Sequence, residues 1–227
     1  DALPVPVDQF RKRLDEECFI IWKLPHFRTE ILTETPVLPG YADYVESKNA
    51  DLHGAYLSAH FEAGLWPVVY EGENDGHLIR HVCPMMHSEN KISSQGAKQD
   101  FYPHVDNPDL SITGEAPSRL FGCCPDTLTL LCLRKEPGVN TSLLKLDQVV
   151  SQLSETTLNT LAQPLFIIRR PASFSTSSSV EGVPVIVNKD GTWYSRFDWH
   201  NTIGMTPEAE LALEKIRYLT LERDLWF

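Results

Sequence analysis

The chain has 227 residues, 42% hydrophobic and 22% charged, with 20 basic against 31 acidic side chains. That is enough for one core of ordinary size, and a net charge of -11 with no Lys/Arg run argues against nucleic acid, whose phosphates need a concentrated basic face. No apolar stretch reaches the ~20 residues of a membrane-spanning helix, and DALPVPVDQF lacks the basic flank and apolar centre of a signal peptide, so a soluble cytoplasmic protein with no nucleic-acid or membrane partner is expected. The five cysteines are odd in number and contain no CxxC pair, which points to reduced thiols; Cys18 and Cys132 lie in apolar runs and are expected to act as small buried hydrophobes.

In chain order, Val7, Phe10, Leu14 and Cys18 fall at helical spacing and predict a helix over 7–17. It runs into CFIIWKL, of strand character, and a second helix is expected around 51–64. Residues 66–70 and 77–82 read as short strands about the turn-rich EGENDG. LTLLCLR (128–134) is a nearly continuous apolar run of the kind found in strands buried on both faces. Helical spacing returns at Leu146, Val149, Val150 and Leu153, and residues 166–170 form a further strand candidate. VPVIV-NKDG-TWYSRF predicts a hairpin turning at Asp190-Gly191. A last helix is capped by Thr206, with Pro207 at its first position and an apolar stripe of Ala209, Ala212, Leu213, Ile216 and Leu219. Short strands with interposed helices, and no glycine-rich phosphate loop, favour a mainly β jelly-roll or sandwich core with flanking helices over a doubly wound sheet.

Of the eight histidines, His104 stands out by its neighbours. In QDFYPHVDNPDL, His104 and Asp106 are two apart, and on an extended chain such residues face the same way. An imidazole and a carboxylate converging on one point are two-thirds of the facial set that binds non-haem Fe(II) and leaves positions open.

HVDNPD, followed by CCPDTLTLLCLR and GVNTSLL, resembles the iron- and 2-oxoglutarate-dependent oxygenases of the taurine dioxygenase and clavaminate synthase type. More narrowly, it is similar to the branch that hydroxylates free lysine, arginine or asparagine. The resemblance runs from about residue 70 through ISSQG (92–96) to SRFDWHNTIG and the final helix. It implies a double-stranded β-helix (jelly-roll) core in one oxygenase domain over 1–227. His104 and Asp106 would be iron ligands, and Thr141 would bond a carboxylate of 2-oxoglutarate. Ser94 and Asp198 would contact the substrate, with Glu73 and Asn74 as weaker contacts. A carboxylate at Asp198 would suit a cationic side chain, so lysine and arginine lead the substrate expectations. Fe(II), 2-oxoglutarate and O2 are the implied cofactors and cosubstrates, succinate and CO2 the by-products, and a homo-oligomer an expected assembly. A carboxylate rather than a small residue at Asp106 favours hydroxylation over halogenation.

The family's third ligand is a histidine near the C-terminus, followed by an arginine that pairs with 2-oxoglutarate. The only histidine after Asp106 is His200, and Arg217 lies within the predicted final helix. The resemblance therefore implies that His200 is not the third ligand and that the last strands of the barrel lie beyond Phe227. Two alternatives stay open: an inactive jelly-roll binding module, and a different metal-dependent, cupin-like enzyme.

Overall fold

The computed structural model describes residues 5–21, 50–83, 100, 102–115, 123–135 and 137–226. CFIIWKL falls partly, and Ser94 with its ISSQG motif wholly, outside the described residues. The chain divides into two compact units, Asp1–Gln99 with Leu131–Lys135, and Asp100–Leu130 with Glu136–Phe227.

In the first unit, helix α1 (Val7–Glu16) buries Phe10, and helix α2 (Ala50–Glu62) follows. The Arg11 guanidinium donates through Nε to the carbonyl of Ala63 at 2.8 Å, tying α1 to the end of α2. Gly64, at φ 71°, packs directly under that guanidinium, where a Cβ would collide with it. The expected strands at 66–70 and 77–82 do not form. A 3-10 turn (Asn74–Gly76) intervenes, and Asn74 Nδ2 donates to the carbonyls of His77 and Ile79 at 2.9 and 3.1 Å. Those are carbonyls a ladder would need, and Trp66, Val68 and Val82 stay exposed.

The run 128–134 is also not a strand: it is shared between the two units, and Leu128 and Leu130 are each 64% exposed. An apolar run becomes a buried strand only where it joins a ladder, and this one belongs to neither of the described sheets. For the same reason the expectation for Cys18 and Cys132 fails; both are exposed, whereas Cys83 is buried.

The second unit holds the strands. β1 (Phe166–Arg169) is the centre of an antiparallel sheet, flanked by β2 (Ser179–Val183) and β5 (Thr202–Gly204). β3 (Ile186–Lys189) and β4 (Thr192–Ser195) form the expected hairpin. Its turn needs left-handed backbone at both centres, which Asp190 (φ 53°) and Gly191 (φ 86°) supply. Helices α3 (Leu146–Val150) and α4 (Glu155–Leu161) precede the sheet; Ser154 caps α4 by accepting from the Thr157 N–H. The last helix, α5 (Pro207–Thr220), begins as predicted, with Thr206 Oγ1 accepting from the Ala209 N–H at 3.2 Å.

One apolar cluster joins these elements: Val149, Leu161, Phe166, Ile168, Val185, Ile186 and Phe197 pack against Ala209, Ala212, Leu213 and Ile216 of α5. Strands of three to five residues make the strand content modest, so the mainly β expectation is met only in part among the described residues. No described helix is long and apolar enough to cross a membrane.

Candidate metal centre

Backbone pairing continues past the end of β4 at Ser195. The Arg196 N–H donates to the Val185 carbonyl at 2.9 Å, and the next two residues pair with the histidine segment. The Val105 N–H donates to the Phe197 carbonyl at 2.9 Å, and His104 and Asp198 form an isolated antiparallel bridge. The hairpin thereby holds His104 in the extended backbone that turns residues 104 and 106 the same way. Asn107 then takes a left-handed conformation (φ 52°) and turns the chain away immediately after Asp106. Asparagine is among the few residues that accept this conformation at low cost.

His104 Nε2 lies 3.8 Å from Asp106 Oδ1, with the two side chains 25% and 47% exposed. On the other side of the ring, Nδ1 is 2.8 Å from the carbonyl oxygen of Tyr102. A carbonyl only accepts, so Nδ1 carries a proton, and in the neutral ring Nε2 then presents its lone pair on the side of the aspartate. This is the arrangement metal-binding histidines use: one nitrogen tied to an acceptor, the other directed at the ion. Two donors bound to one ion at ~2.1 Å stand roughly 3–3.4 Å apart, so the pair needs only a small side-chain adjustment to share one. The donor set fits a non-haem iron at two positions, and the exposed flank of Asp106 leaves room for exogenous ligands. No group of three or more His, Cys, Asp or Glu side chains that could hold a metal occurs among the described residues.

Two buried arginines, unread in the sequence, fix the loop after Asp106. Arg170 donates through Nε to Asp109 Oδ2 at 2.7 Å, both side chains being almost wholly buried, and its guanidinium lies over Phe174. Arg196, 1% exposed, donates to the Pro108 carbonyl at 3.2 Å and pairs with Glu115. Burial pushes the Arg196 guanidinium down to about 10, which still leaves it cationic at neutral pH. Cys124 Sγ contacts the Asp106 carbonyl at 3.3 Å. Burial first, then the charges of Asp106, Asp126 and Asp109, push its thiol up to about 11, so at neutral pH it remains a thiol and not a thiolate.

The structure treats the other expected site residues differently. Asp198 is 6% exposed, and its own turn takes up its carboxylate: Oδ1 accepts from the His200 and Asn201 N–H groups at 2.8 and 3.0 Å, and Oδ2 from Asn201 Nδ2 at 2.8 Å. The Asp198 carboxylate thus holds its own turn, with Oδ2 accepting only one of the three bonds. Thr141 is exposed in an irregular segment, and among the described residues its hydroxyl makes no hydrogen bond to the histidine–aspartate pair. Glu73 pairs with Arg80 at 3.4 Å.

No protein-family model matches the chain, and neither does any curated protein. Solved structures do. A crystal structure of asparagine oxygenase in complex with Fe(II), 2S,3S-3-hydroxyasparagine and succinate superposes with a TM-score of 0.77 at 21% identity, over 97% of this chain and 65% of that one. Another structure of asparagine oxygenase (AsnO) gives 0.56 at 19% identity, over 78% of this chain and 50% of that one. The non-haem iron oxygenase OrfP, in complex with Fe and alpha-ketoglutaric acid, gives 0.57 at 18%, over 96% of this chain and 66% of that one. The chain thus spans between half and two-thirds of the length of these proteins. At such identities it is the fold that is shared: the chain folds like asparagine oxygenase and OrfP over nearly its whole length.

Proposed function

We propose that residues 1–227 belong to one Fe(II)- and 2-oxoglutarate-dependent oxygenase domain with a jelly-roll core. In this reading the domain hydroxylates an unactivated carbon of a free amino acid, releasing succinate and CO2. The observation that carries the reading is the His104–Asp106 pair, with its imidazole tautomer set by the Tyr102 carbonyl, in a fold shared with two such oxygenases. His104 Nε2 and the Asp106 carboxylate would hold the iron. When bound, that ion would supply O2 activation coupled to oxidative decarboxylation of 2-oxoglutarate.

The chain's own contribution is positional. The β4 extension keeps His104 extended, Asn107 turns the loop aside, and Arg170 and Arg196 pin its far end, so two ligands stay preorganised before any ion arrives. Thr141 remains the residue proposed for a carboxylate of 2-oxoglutarate, and Ser94 for the substrate. Asp198 remains the residue proposed to face a cationic side chain, lysine or arginine, because its Oδ2 accepts only one bond from its own turn; free asparagine is the neutral alternative.

Anaerobic addition of Fe(II) and 2-oxoglutarate to the protein tests this directly. A weak visible metal-to-ligand absorption is expected, abolished by His104→Ala, and after admission of O2, succinate should form with one amino acid of a panel containing lysine, arginine and asparagine. Absence of the absorption at saturating iron would sink the metal assignment. Absorption without succinate on any amino acid would instead favour a binding module on the same fold.

A further inference from the structure

The segment that supplies Asp198 also supplies Trp199 and His200, and both rings pack on Tyr102. The Trp199 and Tyr102 rings stack at 4.5 Å between centroids and 20° between planes, and the His200 ring lies 5.5 Å from Tyr102. Tyr102 is the residue whose carbonyl receives the Nδ1 proton of His104. The turn that carries Trp199 is itself locked by the three donors to Asp198 and by the Thr202 hydroxyl, which contacts the Asp198 N–H at 3.1 Å. A chain of contacts thus runs from the Asp198 turn through the Trp199 and Tyr102 rings to the carbonyl that selects the tautomer of His104.

We propose that Trp199 and Tyr102 are positioning residues for the metal ligand: their stack fixes the Tyr102 peptide so that its carbonyl holds His104 with Nδ1 protonated and Nε2 facing Asp106. The inference deepens the oxygenase reading and rests on it for its purpose, but its geometry stands without a metal. Neither ring reaches the reacting atoms; each acts through the peptide at Tyr102. Trp199 is the part of the device that sequence distance conceals, lying on a different strand extension from the histidine it steadies. Without the stack, the Tyr102 peptide can rotate, and the imidazole loses the carbonyl that holds the proton on Nδ1.

The test is nitrogen NMR of the metal-free, histidine-labelled protein at pH 8, where neutral imidazoles report their tautomer through the two ring-nitrogen shifts. In the native chain, His104 should show one protonated Nδ1 and one lone-pair Nε2. Tyr102→Ala keeps the carbonyl but removes both the ring and its hydroxyl bond to Asp100 Oδ2, and averaged shifts from mixed tautomers are expected; Tyr102→Phe, which keeps the ring and loses only that bond, should retain the native pattern. Trp199→Ala should also give averaged shifts, and Trp199→Phe should restore the native pattern. Co(II) affinity should fall roughly 10- to 100-fold in both alanine variants and recover in Trp199→Phe. Because Trp199 also packs against the core, Tyr102→Ala is the variant that decides if Trp199→Ala fails to fold. A native tautomer and native Co(II) affinity in folded Tyr102→Ala would overturn the proposal. Failure of the 2-oxoglutarate absorption, with the tautomer result intact, would instead overturn the oxygenase reading and leave this one standing.

Discussion

Removing the Asp198 carboxylate strands two backbone N–H groups, those of His200 and Asn201, in a segment already folded against the protein. Leaving such partly buried donors unsatisfied costs about 1–3 kcal/mol, so Asp198→Ala should lower the unfolding free energy by that amount, read as a lower urea midpoint at unchanged slope. Asp198→Asn retains one oxygen for the two N–H groups and loses the acceptor for Asn201 Nδ2, so it should fall between the two; equal stability of all three proteins would reject the turn-holding role. Arg196 presents a harsher case. It is 1% exposed and holds both the Pro108 carbonyl and Glu115, so Arg196→Met leaves an acceptor and a carboxylate without their cation. Breaking such a pair from one side costs about 3–5 kcal/mol, which equilibrium urea unfolding would read as a large downward shift of the midpoint; a shift under about 1 kcal/mol would mean the pair contributes little. The histidine–aspartate pair was legible because spacing of two has one meaning on an extended chain. The turn-holding role of Asp198 was missed because a carboxylate in a sequence does not disclose which donors reach it, although Asp followed by Asn three residues on is itself a signal of a side-chain-closed turn.

At the level of elements, β5 and α5 meet more closely than any side chain would allow. A Cβ on Gly204 would come within 2.5 Å of the Glu210 nitrogen and 2.8 Å of the Ala209 carbonyl carbon, both backbone atoms that cannot swing aside. Gly204→Ala should therefore push the strand off the helix and cost about 1–3 kcal/mol, seen as a lower thermal midpoint; an unchanged midpoint would contradict this packing. The same junction carries a charge. Burial works to raise the Glu210 carboxyl, but the Gly204 N–H and the Arg217 guanidinium outweigh it and hold it below its ordinary 4.5. A depressed carboxyl stabilises the fold fully above its unfolded value and loses that contribution as pH falls through the folded one. Glu210→Gln should thus be less stable than the native chain at pH 7 and equal to it near pH 3, and a constant difference across that range would reject the assignment. α5 and the β3–β4 hairpin were legible because caps, proline and left-handed turn residues act within a few positions. The runs at 66–70, 77–82 and 128–134 were not, since strand formation depends on a partner elsewhere in the chain that no local pattern names.

Among the described residues burial is uneven, and their local stability should follow it. In the first unit the buried hydrophobic residues among those described are Phe10, Ala63 and Cys83, while Phe61, Trp66, Val68 and Val82 remain about half exposed or more. The second unit contains the eleven-residue cluster in which Leu161, Phe166, Ile168, Val185, Ile186, Ala209 and Leu213 have no measurable exposure. Each fully buried side chain of this kind is worth about 1.5–3 kcal/mol in transfer alone, so among the described residues most of the apolar stabilisation lies in the unit that holds the histidine–aspartate pair. That distribution suits a site whose ligands must be preorganised, since the β4 extension that holds His104 starts from the same core through Phe197. Native-state hydrogen exchange checks the argument residue by residue. The amides of Ile168 in β1 and of Leu213 and Ile216 in α5 should exchange only through global opening, roughly 100-fold more slowly than those of α2, which open locally. The Val105 amide, bonded to the Phe197 carbonyl, should side with the slow class. If Val105 instead exchanged with α2, the histidine segment would be opening independently of the core, and preorganisation of the ligand pair by the hairpin would have to be abandoned.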